Sequence, residues 1–172
     1  VSERGGFNRV ADRVSDLVVR RAQATDSDAL CAIWLENAEL LVKADTYYGL
    51  APDAAEQWQA ALATWLGRPD VAVFVAERQG KVLGFLVAAL AGNAPGLLPA
   101  RYGFISDLAV DPHAKSGGIG RALLEATRAW FRSGGIDQIE ARVPARNAVA
   151  QAFWRAVGAT RTYEQMRLRG NR

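Results

Sequence analysis

The chain holds one cysteine, one histidine and one methionine among its 172 residues. A lone Cys31 cannot close an intramolecular disulfide, and one Cys with one His cannot supply a cysteine- and histidine-rich zinc centre. The expectation is therefore no metal centre, and a reduced, buried thiol of the kind that suits a cytoplasmic protein. Lysine is scarce as well, confined to Lys43, Lys81 and Lys115, so arginine carries most of the positive charge. With 21 basic against 18 acidic residues the net charge is only +3, and no run of like charge forms a nucleic-acid-binding arm. The longest apolar stretches, such as Val82 to Ala91, are too short to cross a bilayer. The first fifteen residues lack the apolar core of an export signal. These absences argue against nucleic-acid and membrane partners.

What is present is ordinary globular composition, 50% hydrophobic and 23% charged. A chain of this length buries roughly 70% of its unfolded surface and needs no covalent staple. Residues 1–16 read as a tail and 17–172 as one domain. Leu17–Arg21 is a short β-prone run. Thr25-Asp26-Ser27-Asp28 supplies N-cap oxygens, and Leu30, Ile33, Trp34, Ala38 and Leu41 follow at helical spacing, predicting a helix over about 27–42. A second helix starts after Pro52-Asp53, with Trp58, Leu62 and Trp65 on its apolar stripe, and Gly67 and Pro69 stop it.

Strands are expected over Val71–Glu77 and Lys81–Ala91, joined by an Arg78-Gln79-Gly80 turn, and over Arg101–Val110, where Tyr102, Phe104, Ser106, Leu108 and Val110 would share one side. These three form an economical antiparallel meander. A helix with Ile119, Ala122, Leu123, Ala126 and Trp130 on one face separates Val110 from a further strand over Ile136–Val143. Strand, helix and strand in that order make a parallel crossover. Asn147 caps a last helix, with Val149, Ala152, Phe153, Ala156 and Val157 on its face, and Thr160–Arg169 is expected as a final strand. The fold class is α/β (α+β): a mixed sheet with helices packed on its faces.

The segment richest in chemistry is Leu108-Ala109-Val110, then Asp111-Pro112-His113-Ala114, then Lys115-Ser116-Gly117-Gly118-Ile119-Gly120-Arg121. It runs from strand through a glycine turn into a helix. Backbone N–H groups at such a helix start favour an anion, and glycines let a phosphate approach closely. A diphosphate is the natural guest. The P-loop pattern fails because no Lys follows the glycines, and the dinucleotide fingerprint fails because Leu123 stands where Gly is needed. His113 reads as a solvated loop residue.

On these residues the sequence resembles the GCN5-related N-acetyltransferases (GNAT family). Their hallmark is a Leu-Ala-Val-like strand end followed by Arg/Gln-x-x-Gly-x-Gly/Ala, here Leu108 to Val110 and Lys115 to Gly120, with Lys115 in place of Gln or Arg. A second motif, Asn-x-x-Ala-x-x-Phe/Leu-Tyr, reads Asn147-Ala148-Val149-Ala150-Gln151-Ala152-Phe153-Trp154. The two occur in family order across about 17–169. The resemblance implies a mostly antiparallel sheet with one splayed parallel strand pair, and acetyl-coenzyme A as cofactor. Leu108, Ala109 and Val110 would pair with its pantetheine arm. Ser116 to Arg121, that is Ser116, Gly117, Gly118, Ile119, Gly120 and Arg121, would meet its diphosphate with Lys115 adding charge. Asn147 would bond the arm, and Phe153 and Trp154 would line it.

The implied reaction is direct attack of a neutral amine on the thioester in a ternary complex. A carboxylate can serve as base, and Glu140 and Asp107 are the candidates. A Glu that many members carry near Ser106 is missing. The usual Tyr acid is replaced by Trp154, whose indole donates but is no usable acid. Tyr163 is the nearby alternative. Glu36, Glu39 and Asp45 offer charge to a cationic amine, with Tyr47 and Tyr48 to cover it. The acceptor expected is a small or peptidyl primary amine, and a homodimer is compatible with this reading. The rival reading is an acyl-coenzyme A sensor that binds the cofactor without efficient turnover.

Overall fold

The computed structural model describes residues 16–114, 117–168 and 170. Lys115 and Ser116, and the tail up to residue 15, lie outside the described residues. The chain divides into two compact units, one ending at Arg142 and one starting at Val143.

The first unit carries a five-stranded sheet in chain order. The strands are β1 (Leu17–Arg21), β2 (Val71–Arg78), β3 (Lys81–Gly92), β4 (Arg101–Val110) and β5 (Ile139–Ala141). The first three pairings are antiparallel and the β4–β5 pairing is parallel. The expected meander and crossover are therefore both present. Helix α1 (Ser27–Ala44), α2 (Ala54–Leu66) and α3 (Ile119–Ser133) complete the unit. Among the described residues no helix is long and apolar enough to cross a membrane.

Both sheet faces are covered, which explains why β2 and β3 read as continuous apolar runs rather than alternating ones. Val71, Val73 and Val75 of β2, with Phe85 and Val87 of β3, pack with Leu30, Ile33, Trp58 and Leu62 of α1 and α2. The tryptophans are packing residues, as their spacing predicts: Trp34 stacks on Trp58 at 5.5 Å, and Trp58 meets Phe85 at 5.4 Å. Cys31 is free and buried, and burial pushes its thiol pKa up, with Asp28 and Glu56 adding to the rise. At the entry to α1, Arg20 donates to both carboxylate oxygens of Asp26 at 2.8 Å and to Glu77 at 2.7 Å. The Arg20 bond holds the Asp26 carboxyl below its usual range despite burial.

On the other face the buried stripe of α3 is Ile119, Leu123, Leu124, Thr127 and Phe131. This is rotated from the predicted face: Ala122, Ala126 and Trp130 are only half-buried. Thr127 can be buried because its hydroxyl donates to the Leu123 carbonyl at 2.9 Å.

Two strand expectations are corrected. The run Ile136–Val143 is a strand only over Ile139–Ala141. Gly135, at φ 71°, and the Ile136 N–H donating to Phe131 O still belong to the end of α3. Of the run Thr160–Arg169, the described residues, 160–168, form no strand and have no regular secondary structure, and Arg169 lies outside the described residues. A β-prone run becomes a strand only when a neighbour completes its ladder.

The second unit holds α4 (Ala148–Ala156). Asn147 caps it as predicted, accepting from the Ala150 N–H at 2.9 Å. Its predicted apolar face is not buried, and Val149 is exposed.

Candidate functional site

The site in the first unit begins with an irregularity in β4. Val87 pairs with Asp107, but the next residue of β3, Ala88, pairs with Ile105. Ser106 is thus one extra residue, a β-bulge, with its hydroxyl 3.5 Å from the Val87 carbonyl. Paired residues share a face, so the bulge swaps the faces of β4. Gly103 and Ile105 lie on the α3 side. Beyond the bulge Asp107 and Ala109 lie on the α1–α2 side, opposite Val87 and Phe85. The predicted common side for Tyr102, Phe104, Ser106, Leu108 and Val110 is therefore wrong. Tyr102 and Phe104 share the face of Asp107, while Leu108 and Val110 point the other way.

The bulge also decides which backbone groups face β5. The Asp111 N–H donates to Leu83 O at 2.8 Å, toward β3. Direction alternates along a strand, so the N–H and C=O groups of Leu108 and Val110 turn to the opposite edge. There β5 pairs only with Gly103, Phe104 and Ile105. Among the described residues no β5 residue pairs with Leu108 or Val110. The Asn37 side-chain amide of α1 reaches Val110 O at 3.4 Å. The parallel pair thus parts after Ile105 and, among the described residues, leaves the N–H and C=O of Leu108 and the N–H of Val110 open.

Val110 leads into the glycine turn. Gly118 is the N-cap of α3 at φ 74°, a left-handed conformation that favours glycine, and a Cβ there would meet nothing within 4 Å. The first turn of α3 contains no acidic residue, so the helix start presents its positive end without local opposition. Gly117 is half-buried, and Gly120 and Arg121 stand in the first turn. Ile119 is buried against Gly84 of β3: a Cβ on Gly84 would lie 2.9 Å from Ala109 O and 3.1 Å from Ile119 Cγ2. Gly84 therefore lets β4 and the start of α3 close over β3 together.

The two carboxylate candidates fall on one face. Glu140 pairs with Phe104, and Phe104 shares its face with Asp107. Arg142 lies over the Phe104 ring at 5.8 Å. Asp107 is half-buried, and loss of water around its carboxyl raises its pKa, with only a partly opposing bond from Ser106. Glu140 is half-exposed, with the Gln138 amide at 3.5 Å.

In the second unit Phe153 and Trp154 meet edge-on at 5.3 Å on α4. Tyr163 lies on the irregular segment after it, 91% exposed. On α1 Glu39 is paired with Lys43, and in the loop after it Tyr47 and Tyr48 pack edge-on at 5.2 Å.

Glu36 does something its sequence position did not signal. It joins Asp111 and His113 beside a cavity of about 520 Å³, lined also by Thr25, Asp26 and Lys81. Burial pushes the Asp111 carboxyl up, but the His113 N–H and the Lys81 ammonium outweigh it and hold its pKa below the usual range.

The acetyltransferase (GNAT) family model matches residues 30–159. An aminoglycoside N(6')-acetyltransferase type 1 of Stenotrophomonas maltophilia is 32% identical over 142 residues, covering 81% of this chain and 85% of that protein. A mycothiol acetyltransferase of Amycolatopsis mediterranei is 38% identical over 89 residues, 51% of this chain. The match spans only 30% of that relative's length. Among solved structures, one from Clostridium acetobutylicum, described as a "predicted acetyltransferase with acetyl-CoA", superposes with a TM-score of 0.71 at 16% identity, covering 89% of this chain and 96% of that one.

Proposed function

This chain belongs to the acetyltransferase (GNAT) family, and from that premise we propose that it transfers an acetyl group from acetyl-coenzyme A to the primary amine of a small molecule. One observation carries the reading: β4 runs on to Val110 after β5 has ended its pairing at Ile105. The N–H and C=O of Leu108 and the N–H of Val110 offer an extended ligand the ladder that β5 does not complete. They fit an amide-bearing arm such as pantetheine. The glycine turn and the start of α3 fit a diphosphate, because Gly118 leaves open space there and the helix end attracts anions. Acetyl-coenzyme A, when bound, supplies an acetyl group activated as a thioester.

The chain's own contribution is to hold the amine, deprotonate it and stabilise charge. An ammonium has no lone pair, so a base must first take its proton. Asp107 suits this role better than Glu140. It sits one residue before Leu108, on the face covered by α1 and α2, and its desolvated carboxyl holds a proton at higher pH than an ordinary aspartate. The Leu108 N–H, turned to the open edge, is placed to donate to a developing oxyanion. The bulge at Ser106 sets the face and edge these two neighbours take: Asp107 turns to the α1–α2 side, and the Leu108 N–H turns to the open edge. Asn147, Phe153 and Trp154 of the second unit are proposed to contact the arm, and Tyr163 to return a proton to the thiolate.

The acceptor is proposed to be cationic. Glu36, Glu39 and Asp45 supply acidic charge along and just after α1, and the Stenotrophomonas relative is named for acetylating an aminoglycoside. Thiol release from acetyl-coenzyme A, measured against a panel of aminoglycosides, polyamines, amino acids and dipeptides, tests the reading. At least one cationic amine is expected to raise release about a hundredfold over hydrolysis, a modest share of what enzymes achieve. If the coenzyme binds but no amine raises release, the sensor reading replaces this one. It would draw on Trp154 at the usual acid position and Ser106 at the usual Glu position.

A further inference from the structure

We propose that Glu36, Asp111 and His113 form a binding site for one divalent transition-metal ion of the zinc or cobalt type. The site uses none of the open backbone groups of β4, and although Glu36 is also among the residues proposed to attract the acceptor, ion binding does not depend on the acetyl-transfer reading. One carboxylate oxygen from Glu36, one from Asp111 and one imidazole nitrogen of His113 lie within 4.8 Å of one another. The set is not acidic alone: a neutral imidazole with two carboxylates is a donor mixture suited to zinc, cobalt, nickel or iron rather than to calcium or magnesium. Around a tetrahedral ion with bonds of about 2.1 Å, neighbouring donors stand about 3.4 Å apart. The three atoms need to close by up to about 1.4 Å, and Glu36 and His113 are exposed side chains that can do so by rotation.

Asp111 is the fixed member. It is 8% exposed, and one of its oxygens accepts the His113 backbone N–H at 2.8 Å. That bond holds the turn that brings the imidazole of His113 beside it. The second oxygen faces the Lys81 ammonium at 3.2 Å. Lys81 is a competitor for the same carboxylate. Its side chain is largely exposed, so the pair is cheap to exchange for an ion. The adjoining cavity, about 520 Å³, leaves room for water to complete the coordination. The donors come from α1 and from the segment between β4 and the glycine turn, so an ion here would tie those two elements together.

The composition makes the test clean. His113 is the only histidine, and Cys31, the only cysteine, is buried. Untagged protein is titrated with Co²⁺, followed by visible absorption and by the melting temperature. One equivalent is expected to give a ligand-field band and raise the melting temperature, both reversed by EDTA. His113→Ala should abolish the band, and Glu36→Gln should weaken Co²⁺ at least tenfold, with both variants melting like the parent when ion-free. A Co²⁺ band of equal strength in His113→Ala, or no band in the parent, overturns the proposal. So does spermidine raising the melting temperature of parent and His113→Ala alike while Co²⁺ leaves both unchanged.

Discussion

Asp107→Asn is expected to lower turnover about a hundredfold, the scale of a lost general base, and at the same time to raise the melting temperature at pH 7. The two effects share one cause. Desolvation raises the folded-state pKa of Asp107 above the value of about 3.9 for an aspartate in the unfolded chain. Between those two values the folded protein binds more protons than the unfolded one. Stability then falls as pH rises across that window, up to the raised folded-state pKa. Asparagine removes the buried charge and with it the loss. The acid limb of kcat/KM should likewise sit above the ordinary aspartate value in the parent and vanish in the variant. Glu140→Gln is expected to change turnover less than about threefold, since a half-exposed carboxylate away from the reacting groups acts only weakly. Steady-state kinetics and thermal melts across pH check both variants. Unchanged turnover in Asp107→Asn, or the larger loss in Glu140→Gln, would move the base to the other carboxylate.

Gly103→Ala is expected to give the largest stability loss of any single methyl added to the sheet, about 3 kcal/mol at the upper end for overpacking a core. In a protein of this size that is a fall of about 6–12 °C in melting temperature. A Cβ at Gly103 would lie 2.6–2.7 Å from three ring atoms of Phe131, which is fully buried. The ring cannot swing into solvent, so α3 must lift from the sheet. Gly103 is also where β5 first pairs with β4, and its N–H donates to Gln138 O at 2.8 Å. The same methyl therefore disturbs the pairing that sets where the strands part. In a double-mutant cycle, Phe131→Leu should recover part of the loss, giving a coupling of about 1 kcal/mol or more. Simple additivity of the two single losses would show that ring and glycine do not meet.

What could be read from the residues alone was whatever depends on short-range spacing. Helical periodicity placed α1, α2 and α3 close to their observed bounds, because each has a cap or stop within a few residues of its ends, such as Asp53 before α2 and Gly134 after α3. The strand–glycine turn–helix segment from Leu108 to Arg121 was legible for the same reason. The face of β4 was not. A bulge is a mismatch between two strands, and Ser106 carries no local sign that β3 skips it. The cluster of Glu36 with Asp111 and His113 was hidden too, since α1 and the end of β4 are far apart in the sequence and meet only in the folded chain. The missing strand at 160–168 failed differently. β-prone residues such as Thr160, Thr162 and Tyr163 suggest a strand, but composition alone supplies no ladder partner.

The account stands on the open edge of β4, and backbone amide exchange at Leu108 and Val110 reads that edge directly. In the free protein both amides should exchange faster than Ala109, whose N–H turns into the β3 ladder. Saturating acetyl-coenzyme A should slow both at least tenfold, about 1.4 kcal/mol of added protection. If Leu108 and Val110 are already as protected as Ala109 without coenzyme, or exchange at the same rate with it, the strands do not part as described and the coenzyme does not bind there.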